Sequence, residues 1–308
     1  MSASAAAPRI VVVGSVMVDL VAYADPLPSV GQTVVGSAFQ LGCGGKGANQ
    51  AITAHRLGAD VVFVGRVGGD IFGDLSLENF REQGLDETHV QRLEGWSTGV
   101  APIWVQADGS NRIIVVPGAN AALSAEAVEQ ELAELTGADC LVCQLEISLD
   151  ACRAALAVGA RLGATTILNP APASVEAVPL FASADWVVPN EHEFELLWGR
   201  EPTDVEILAA SAAWDCGLIV TLGAEGTAAT VGGGVLRSRP PSVTVTDTTG
   251  AGDAFVGALA FALGGGAALA EAIELGNRCG AFSTRSRGTQ TSFPSREAMG
   301  RTTHLQPQ

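Results

Sequence analysis

The sequence predicts an α/β fold: a mainly parallel sheet between two helical layers, with a small β-sheet lid. Three observations predict it. Short, continuously apolar, β-branched runs recur along the chain, as strands buried on both faces require. Helical patterns alternate with these runs, and that alternation builds parallel sheets. Two regions break it with paired strand patterns and no helix between them.

The first apolar run is residues 9–14 (Arg-Ile-Val-Val-Val-Gly). Further runs stand at 61–64, 141–145, 166–168, 186–188 and 218–222. Helical spacing falls over 47–57, 73–83, 124–135, 150–162 and 205–216. The lid is predicted from 18–23 paired with 33–41, and 99–105 paired with 112–116, within the spans 16–41 and 99–117. Asp108-Gly109 marks a tight hairpin in the second pair. A four-stranded lid leaves one face bare, so a homodimer through the lid strands is expected. Residues 9–294 form a single domain, with tails at 1–8 and 295–308. The uncharged run from Ala254 to Ala270 approaches the length of a membrane span. Gly264-Gly265-Gly266 interrupts it, which predicts a core helix, a turn and the start of a second helix.

The chain has 308 residues, 47% of them hydrophobic, ample for a large core. Its net charge of −16 argues against nucleic acid or an anionic membrane as partner. A small anionic ligand needs only a local site. Met1–Pro8 has no basic start and no long apolar region, so it is not read as a signal peptide. Cys43, Cys140, Cys143, Cys152, Cys216 and Cys279 lie scattered in apolar stretches. Cys140-x-x-Cys143 sits inside a predicted buried strand with no second pair, so neither a metal nor a redox site is expected. Free thiols fit a cytoplasmic location. His55, His89, His192 and His304 show no ligand spacing.

The most informative stretch is Thr246-Asp247-Thr248-Thr249-Gly250-Ala251-Gly252-Asp253. Gly250 and Gly252 flank Ala251, so the backbone can turn tightly and its amides converge. An Ala-rich helical run follows. A glycine turn opening a helix is an anion site, because free N–H groups and the helix dipole point the same way. Asp253 has two readings. It caps the helix, or it is the base that takes a proton from a hydroxyl attacking a phosphoryl group held by the turn.

Gly42-Cys43-Gly44-Gly45-Lys46-Gly47-Ala48-Asn49 is the second such stretch. It matches G-x-G-x-x-G but does not follow the first strand, so it is not a dinucleotide fingerprint. Gly47 stands where a Walker A loop needs Ser or Thr. Lys46 is the only lysine beside sixteen arginines, which points to a place that requires a compact ammonium. Backbone at 44–47 can approach a polyol, and Asn49 offers a donor and an acceptor to hydroxyls. Asp19, Glu146, Asn169, Asn190 and Thr221 fall at predicted strand ends, where α/β sheets bind ligands. Asn190 and Glu193 either cap a helix start or order waters around a Mg²⁺ that travels with a triphosphate. Thr221-Leu222-Gly223-Ala224-Glu225-Gly226 is a further glycine turn, suited to nucleotide contacts.

The Gly-Gly-Lys-Gly-Ala-Asn loop and the Asp-Thr-Thr-Gly-Ala-Gly-Asp segment resemble the two signatures of the ribokinase (PfkB) family of carbohydrate kinases. The resemblance runs from about Ile10 to Pro294. Segments at 14–19, 118–124, 144–146, 168–173, 188–191 and 288–292 are similar to the family's ribokinases. The resemblance implies a ribokinase-like three-layer α/β/α domain. It implies ATP-dependent phosphorylation of D-ribose at the 5-hydroxyl, with another sugar or nucleoside kinase of the family (deoxyribose, fructose, nucleoside) as the alternative. It implies Mg²⁺ with ATP, and K⁺ as activator. Asp253 would be the base and Gly250, Ala251 and Gly252 the anion hole. Met17, Val18, Asp19, Gly45, Lys46, Gly47, Ala48, Asn49, Glu146 and Asp253 would meet the sugar. Asn190, Thr221, Leu222, Gly223, Ala224, Glu225, Gly226, Gly252 and Asn277 would meet ATP. Asp247, Thr249, Ser283, Ser286, Gly288 and Ser292 would hold K⁺, and Asn190 and Glu193 would reach Mg²⁺ through water. Many bacterial ribokinases carry Asn where this chain has Met17, so one sugar hydrogen bond differs.

Overall fold

The computed structural model describes residues 6–108 and 110–301. Strand β1 (Arg9–Val13) lies deep in the main sheet, with Ile10 to Val13 fully buried. Its residues alternate between two cores. Val11 and Val13 pack with Leu141, Leu156 and Phe181 on one face. Ile10 and Val12 pack with Phe63, Phe255 and Ile273 on the other. An apolar run without polar alternation is satisfied by this arrangement, with both faces covered.

Strands β2 (Met17–Tyr23) and β3 (Ala38–Gly44) leave the main sheet, and helix α1 (Lys46–Leu57) returns the chain to β4 (Asp60–Gly68). Then come α2 (Ile71–Gln83), β5 (Val90–Leu93), β6 (Gly99–Val105) and β7 (Asn111–Ile113). The alternation resumes with α3 (Ala125–Glu131), β8 (Cys140–Gln144), α4 (Leu149–Leu162), β9 (Thr165–Asn169) and β10 (Trp186–Val187). It continues through α5 (Glu191–Trp198), α6 (Asp204–Trp214) and β11 (Gly217–Thr221). A hairpin of β12 (Thr227–Val231) and β13 (Gly234–Ser238) follows, then α7 (Ala251–Gly264), α8 (Leu269–Ser283) and α9 (Arg296–Arg301).

Among the described residues, nine strands form one sheet in the order β13-β12-β11-β10-β9-β8-β1-β4-β5, and four form a second in the order β3-β2-β6-β7. The large sheet is parallel from β11 to β5, and the β12–β13 hairpin adds an antiparallel edge. The small sheet is the lid. One of its faces shows Phe39, Leu41 and Trp104. Among the described residues, no helix is long and apolar enough to cross a membrane. The uncharged run at 254–270 is divided between α7, a turn at Gly265-Gly266 and the start of α8. Cys140 and Cys143 lie buried in β8.

The structure departs from the sequence reading in several places, among them β5, which no predicted run covers, and β7, which ends at Ile113 rather than 116. The second lid strand begins at Ala38 rather than 33, because the chain reaches its partner only where Ser37 N–H donates to the Tyr23 carbonyl at 2.8 Å. That strand then runs on to Gly44, inside the glycine loop. The β12–β13 hairpin has an Ala-rich first strand and leaves no apolar run to detect. Helix α3 stops at Glu131, four residues before the predicted end. The expected tail after 294 includes α9, whose Met299 packs on Leu57, Ala258 and Cys279. Gly109 of the expected hairpin, residues 1–5 of the first tail and 302–308 of the second lie outside the described residues.

Trp214, 8% exposed on α6, stands edge-on to Phe181 at 5.1 Å, Trp198 at 5.6 Å and Phe194 at 6.1 Å. Trp214→Ala is expected to cost about 3–5 kcal/mol by urea unfolding, as large-to-small changes in packed aromatic cores do. A loss below about 1 kcal/mol would show that the cluster collapses around the gap.

Candidate active site

The site is built where β1, β8, β9 and β11 end. The turn between β1 and β2 is held by Asn120, whose Oδ1 accepts from Val16 N–H at 2.9 Å and whose Nδ2 donates to the Val16 carbonyl at 2.8 Å. Helix α1 starts directly against this turn. A Cβ at Gly47 would stand 2.5 Å from Ser15 N and 2.6 Å from Gly14 Cα, so only glycine permits that approach. Glu146, just past β8, accepts from Ser15 Oγ at 2.6 Å and from Lys46 N–H at 2.9 Å. Asp19 projects from β2 opposite Gly42. A Cβ at Gly44 would reach to 2.7 Å from Asp19 Oδ2, so that glycine clears room for the carboxylate. Met17 and Val18 are buried and add no polar side chain.

Helix α7 opens at Gly250, whose φ of 78° lies in the left-handed region and whose lack of a side chain leaves the helix start uncapped. The Ala251 amide donates to the Thr248 carbonyl at 3.2 Å. Among the described residues, the Gly252 and Asp253 amides make no such bond. Gly252 is exposed, and a Cβ there would meet nothing within 4 Å. The protein itself has no use for that space; an anion over the two amides would fill it. Asp253 is not the N-cap. It sits in the third position of the helix, and each of its oxygens takes an amide: Asn49 Nδ2 on Oδ2 at 2.8 Å, Gln50 Nε2 on Oδ1 at 3.1 Å. Asn49 Oδ1 accepts in turn from Gln290 Nε2 at 3.0 Å.

Four carboxylates and one ammonium share this space. Burial pushes the Asp19 carboxyl up to about 7, helped by the charges of Glu146 and Asp253. Burial likewise raises Glu146, although Lys46 and the bonds from Ser15 and the Lys46 amide oppose it. Burial raises Glu193 against the opposing pulls of the Asn190 amide and Lys46. For Lys46, burial favours the neutral amine, but Asp253, Glu146 and Glu193 together outweigh it and hold the ammonium above its ordinary value.

On the other side of Asp253 a cavity is lined by Lys46, Asn169, Asn190, Glu193, Thr221 and Gly252. Asn190 and Glu193 form a reciprocal capping box on α5, each side chain accepting from the other's amide at 2.8 Å. The pair caps the helix, and both residues also line the cavity. The turn at 222–226 closes through Leu222 N–H to the Gly226 carbonyl at 2.7 Å, around Gly223, Ala224 and Glu225. Asn277 is used differently. Its side chain accepts from Thr227 Oγ1 and donates to Ser238, tying α8 to the hairpin that carries this wall.

The segments expected to hold a monovalent cation are stitched together. Asp247 Oδ1 accepts from Thr249 N–H and Oγ1, and Oδ2 accepts from Gly288 N–H at 3.0 Å. Thr246 and Asp247 amides both reach the Thr284 carbonyl. Ser283 and Ser292 hydroxyls donate to the carbonyls of Gly280 and Thr289, while the Ser286 amide donates to the Ser283 carbonyl. Both Asp247 oxygens thus tie the 246–249 turn together and to Gly288.

Sequence reading missed Ser15, Gln50, Asn120, Gln144 and Gln290 as parts of the site. The usable signal was polarity out of place: Gln50 and Gln144 interrupt apolar runs, and both are fully buried.

A carboxylate beside two open helix amides, with a lysine lining the same cavity and an acid-lined polar niche nearby, can hold a phosphoryl group and accept a proton from an attacking hydroxyl. Comparisons with known proteins agree with this chemistry. Residues 7–296 match the model of the pfkB family carbohydrate kinases. The chain is 38% identical over 294 residues to a deoxyribokinase of Salmonella typhi, covering 94% of this chain and 96% of that protein. It is 38% identical over 298 residues to a ribokinase of Mus musculus, covering 94% and 92%. Among solved structures, Thermotoga maritima ribokinase superposes with a TM-score of 0.85 at 33% identity, over 96% of this chain and 98% of that one. Arabidopsis thaliana ribokinase complexed with ribose and ATP gives a TM-score of 0.86 at 29% identity, over 97% and 100%. The protein is thus a sugar-phosphorylating enzyme in class. It belongs to the PfkB family of carbohydrate kinases and has the main sheet and lid of ribokinase structures.

Asp19 gives a test that needs no ligand. Burial holds its carboxyl up to about 7, above the ordinary 3.8 of an aspartate, so ionising it in the fold costs stability that protonation spares. The ligand-free protein should lose stability as pH rises from about 4 through about 7. The melting-temperature advantage of Asp19→Asn over the parent should therefore widen across that window and level off above it. A constant difference at every pH would show that Asp19 is not strained by burial.

Proposed function

We propose that the protein transfers the γ-phosphoryl group of MgATP to the 5-hydroxyl of D-ribose, giving ribose 5-phosphate. The observation that carries the reading is the placement of Asp253 between the open amides of Gly252 and Asp253, the Lys46 side chain and the Asp19–Glu146 niche. On this reading Asp19, Glu146, Asn49 and the Gly45–Ala48 backbone bind sugar hydroxyls, with Met17 and Val18 walling the pocket. Asp253 accepts the 5-hydroxyl proton as the oxygen attacks phosphorus. The amides at Gly252 and Asp253, with Gly250 and Ala251 shaping the turn, hold the transferred group, and Lys46 offsets its charge. Asn190, Thr221 and the 222–226 turn line the nucleotide side, and Asn277 supports it. Mg²⁺ bound with ATP would neutralise phosphate charge, with Glu193 and Asn190 as the residues that would hold its waters. The 246–249 and 283–292 segments would hold K⁺. The bare lid face, with Phe39 and Trp104, is covered by a second copy of the chain.

One observation favours a second substrate, 2-deoxy-D-ribose. Met17 brings no hydrogen-bonding side chain to the sugar side, and a deoxyribokinase is among the relatives at 38% identity. A site that bonds every hydroxyl rejects an analogue lacking one. The experiment is ADP release on a panel of ribose, 2-deoxyribose, fructose and nucleosides with MgATP, run in K⁺ and in Na⁺. Ribose should give the highest kcat/KM, and K⁺ the faster turnover. A preference for 2-deoxyribose would transfer the assignment to that sugar.

Asp253→Asn keeps the shape and the helix start but cannot accept a proton. It should bind ribose and ATP near parent levels and lose about 10²–10⁴-fold or more in kcat. Turnover within about tenfold of the parent would remove Asp253 from the role of base.

A further inference from the structure

Gln50 and Gln144 are fully buried, and neither is explained by the anion site, the sugar niche or apolar packing. A buried amide is costly unless its groups are partnered. Gln50 meets that condition. Its Nε2 donates to Asp253 Oδ1 and Asn169 Oδ1, each at 3.1 Å, and its Oε1 accepts from Gln144 Nε2 at 2.7 Å. Gln144 does not meet it. Its Oε1 is, among the described residues, the buried side-chain polar atom left without a hydrogen-bond partner. That oxygen lies over Gly14, where a Cβ would stand 2.1 Å from it. The chain accepts a glycine at 14 and an orphaned acceptor, and what it keeps is the donor end of Gln144. A methionine would fill the same space without that orphan, but it would take away the donor to Gln50 Oε1, so packing alone does not select glutamine here.

The donor end does something specific. The two ends of a carboxamide are nearly equal in shape and opposite in polarity, so the bonding network decides which way it points. Gln144 Nε2 can bond only to an oxygen, and Asn169 Oδ1 accepts only from a nitrogen. Together they leave Gln50 one orientation, with its N–H toward Asp253. With Asn49 on the other oxygen, the Asp253 carboxylate cannot turn about its own axis without losing both bonds. Gln50 has no exposed surface with which to touch a ligand, so any effect on catalysis passes through its partners, and of these Asp253 is the one with a proton to accept.

We propose that Gln50, held in one amide orientation by Gln144, is a positioning residue that sets the carboxylate plane of Asp253 toward the hydroxyl it deprotonates. The proposal rests on the sugar-kinase reading above. It adds no chemical step: the proton still passes from the sugar hydroxyl to Asp253.

The test uses the full chain and MgATP with the best sugar of the panel. In Gln50→Met/Gln144→Met, both amides become unbranched apolar side chains of similar length, and the orphaned oxygen disappears. The expected result is a kcat lower by about 10- to 100-fold, the size of effect a misaligned catalytic group produces. KM for sugar and for ATP should stay within about threefold of the parent, since uniform binding is untouched. Gln144→Met alone removes only the orienting donor, and should lower kcat by about three- to tenfold. It decides the matter where the double variant does not fold. A parent-like kcat in a folded variant overturns the proposal, and so does a loss carried by sugar KM, which would make Gln50 part of sugar binding. A parent that phosphorylates no sugar on the panel sinks the kinase reading itself, and the proposal with it. An active parent with unaffected variants overturns the proposal alone.

Discussion

Helix α7 is buried almost all round, from Asp253 to Ala260, and packs between α1 and α8. Its first turn therefore has no freedom of its own. It is held where the β1, β8 and β9 strand ends converge, and its open amides face the site because Gly250 admits a left-handed turn with no capping side chain. Every other feature of the site is placed relative to that turn. Asn49 and Gln50 reach it from α1, Gln290 braces Asn49 from the 290–292 turn, and Lys46 lines the same cavity from the start of α1. An ordinary N-cap at 250 would satisfy the helix and leave no place for an anion. The helix start is left incomplete, and the missing partner is the ligand.

The same logic governs the charges. A chain of net −16 that gathers Asp19, Glu146, Glu193 and Asp253 in one site should repel a nucleotide. The conflict is resolved locally. Burial holds Asp19 near 7 and raises Glu146 and Glu193, which weakens the acidic field, while Lys46 remains charged because the acids surround it. A guanidinium would bond these carboxylates in fixed pairs and be withdrawn from the phosphate. A single ammonium at 46, whose own amide already bonds Glu146, balances the set without a preferred partner. That gives a physical sense to the one lysine among sixteen arginines.

Much of this was legible before the structure. The apolar runs announced the parallel strands because a strand buried on both faces has no polar alternation to confuse the pattern. The two glycine-bearing loops announced the site because few other needs call for glycines beside a lone lysine or a lone aspartate. What stayed hidden depends on contacts between residues distant in sequence. Asp253 read as a cap or a base; that its oxygens are bonded by Asn49 and Gln50, some two hundred positions away, follows from the packing of α1 on α7. Asn277 read as a nucleotide contact but is spent on Thr227 and Ser238, in a hairpin whose Ala-rich strand carried no signal. The second lid strand was placed too early because Thr33, Val34 and Val35 favour strands by type, yet at that point the chain has no partner strand beside it.

The two carboxylates of the sugar niche belong to different parts of the molecule. Asp19 is carried by a lid strand, and the glycine loop opposite it is the end of another, since the β2–β3 ladder runs unbroken to Met17 and Gly44. Glu146 and Asp253 stand on the main sheet and its buried helix. The lid is nevertheless rooted in the core, because Ser15 and the Lys46 amide both bond Glu146 and Asn120 clasps Val16 on both its amide and its carbonyl. Bending of the lid therefore has to begin beyond these anchors, toward the free ends of β2 and β3. The Lys46–Glu146–Asp253 geometry is thereby set by the core, whereas Asp19 is carried by a lid strand. An arrangement of this kind separates exclusion of water, which needs movement, from alignment of the reacting groups, which does not tolerate it.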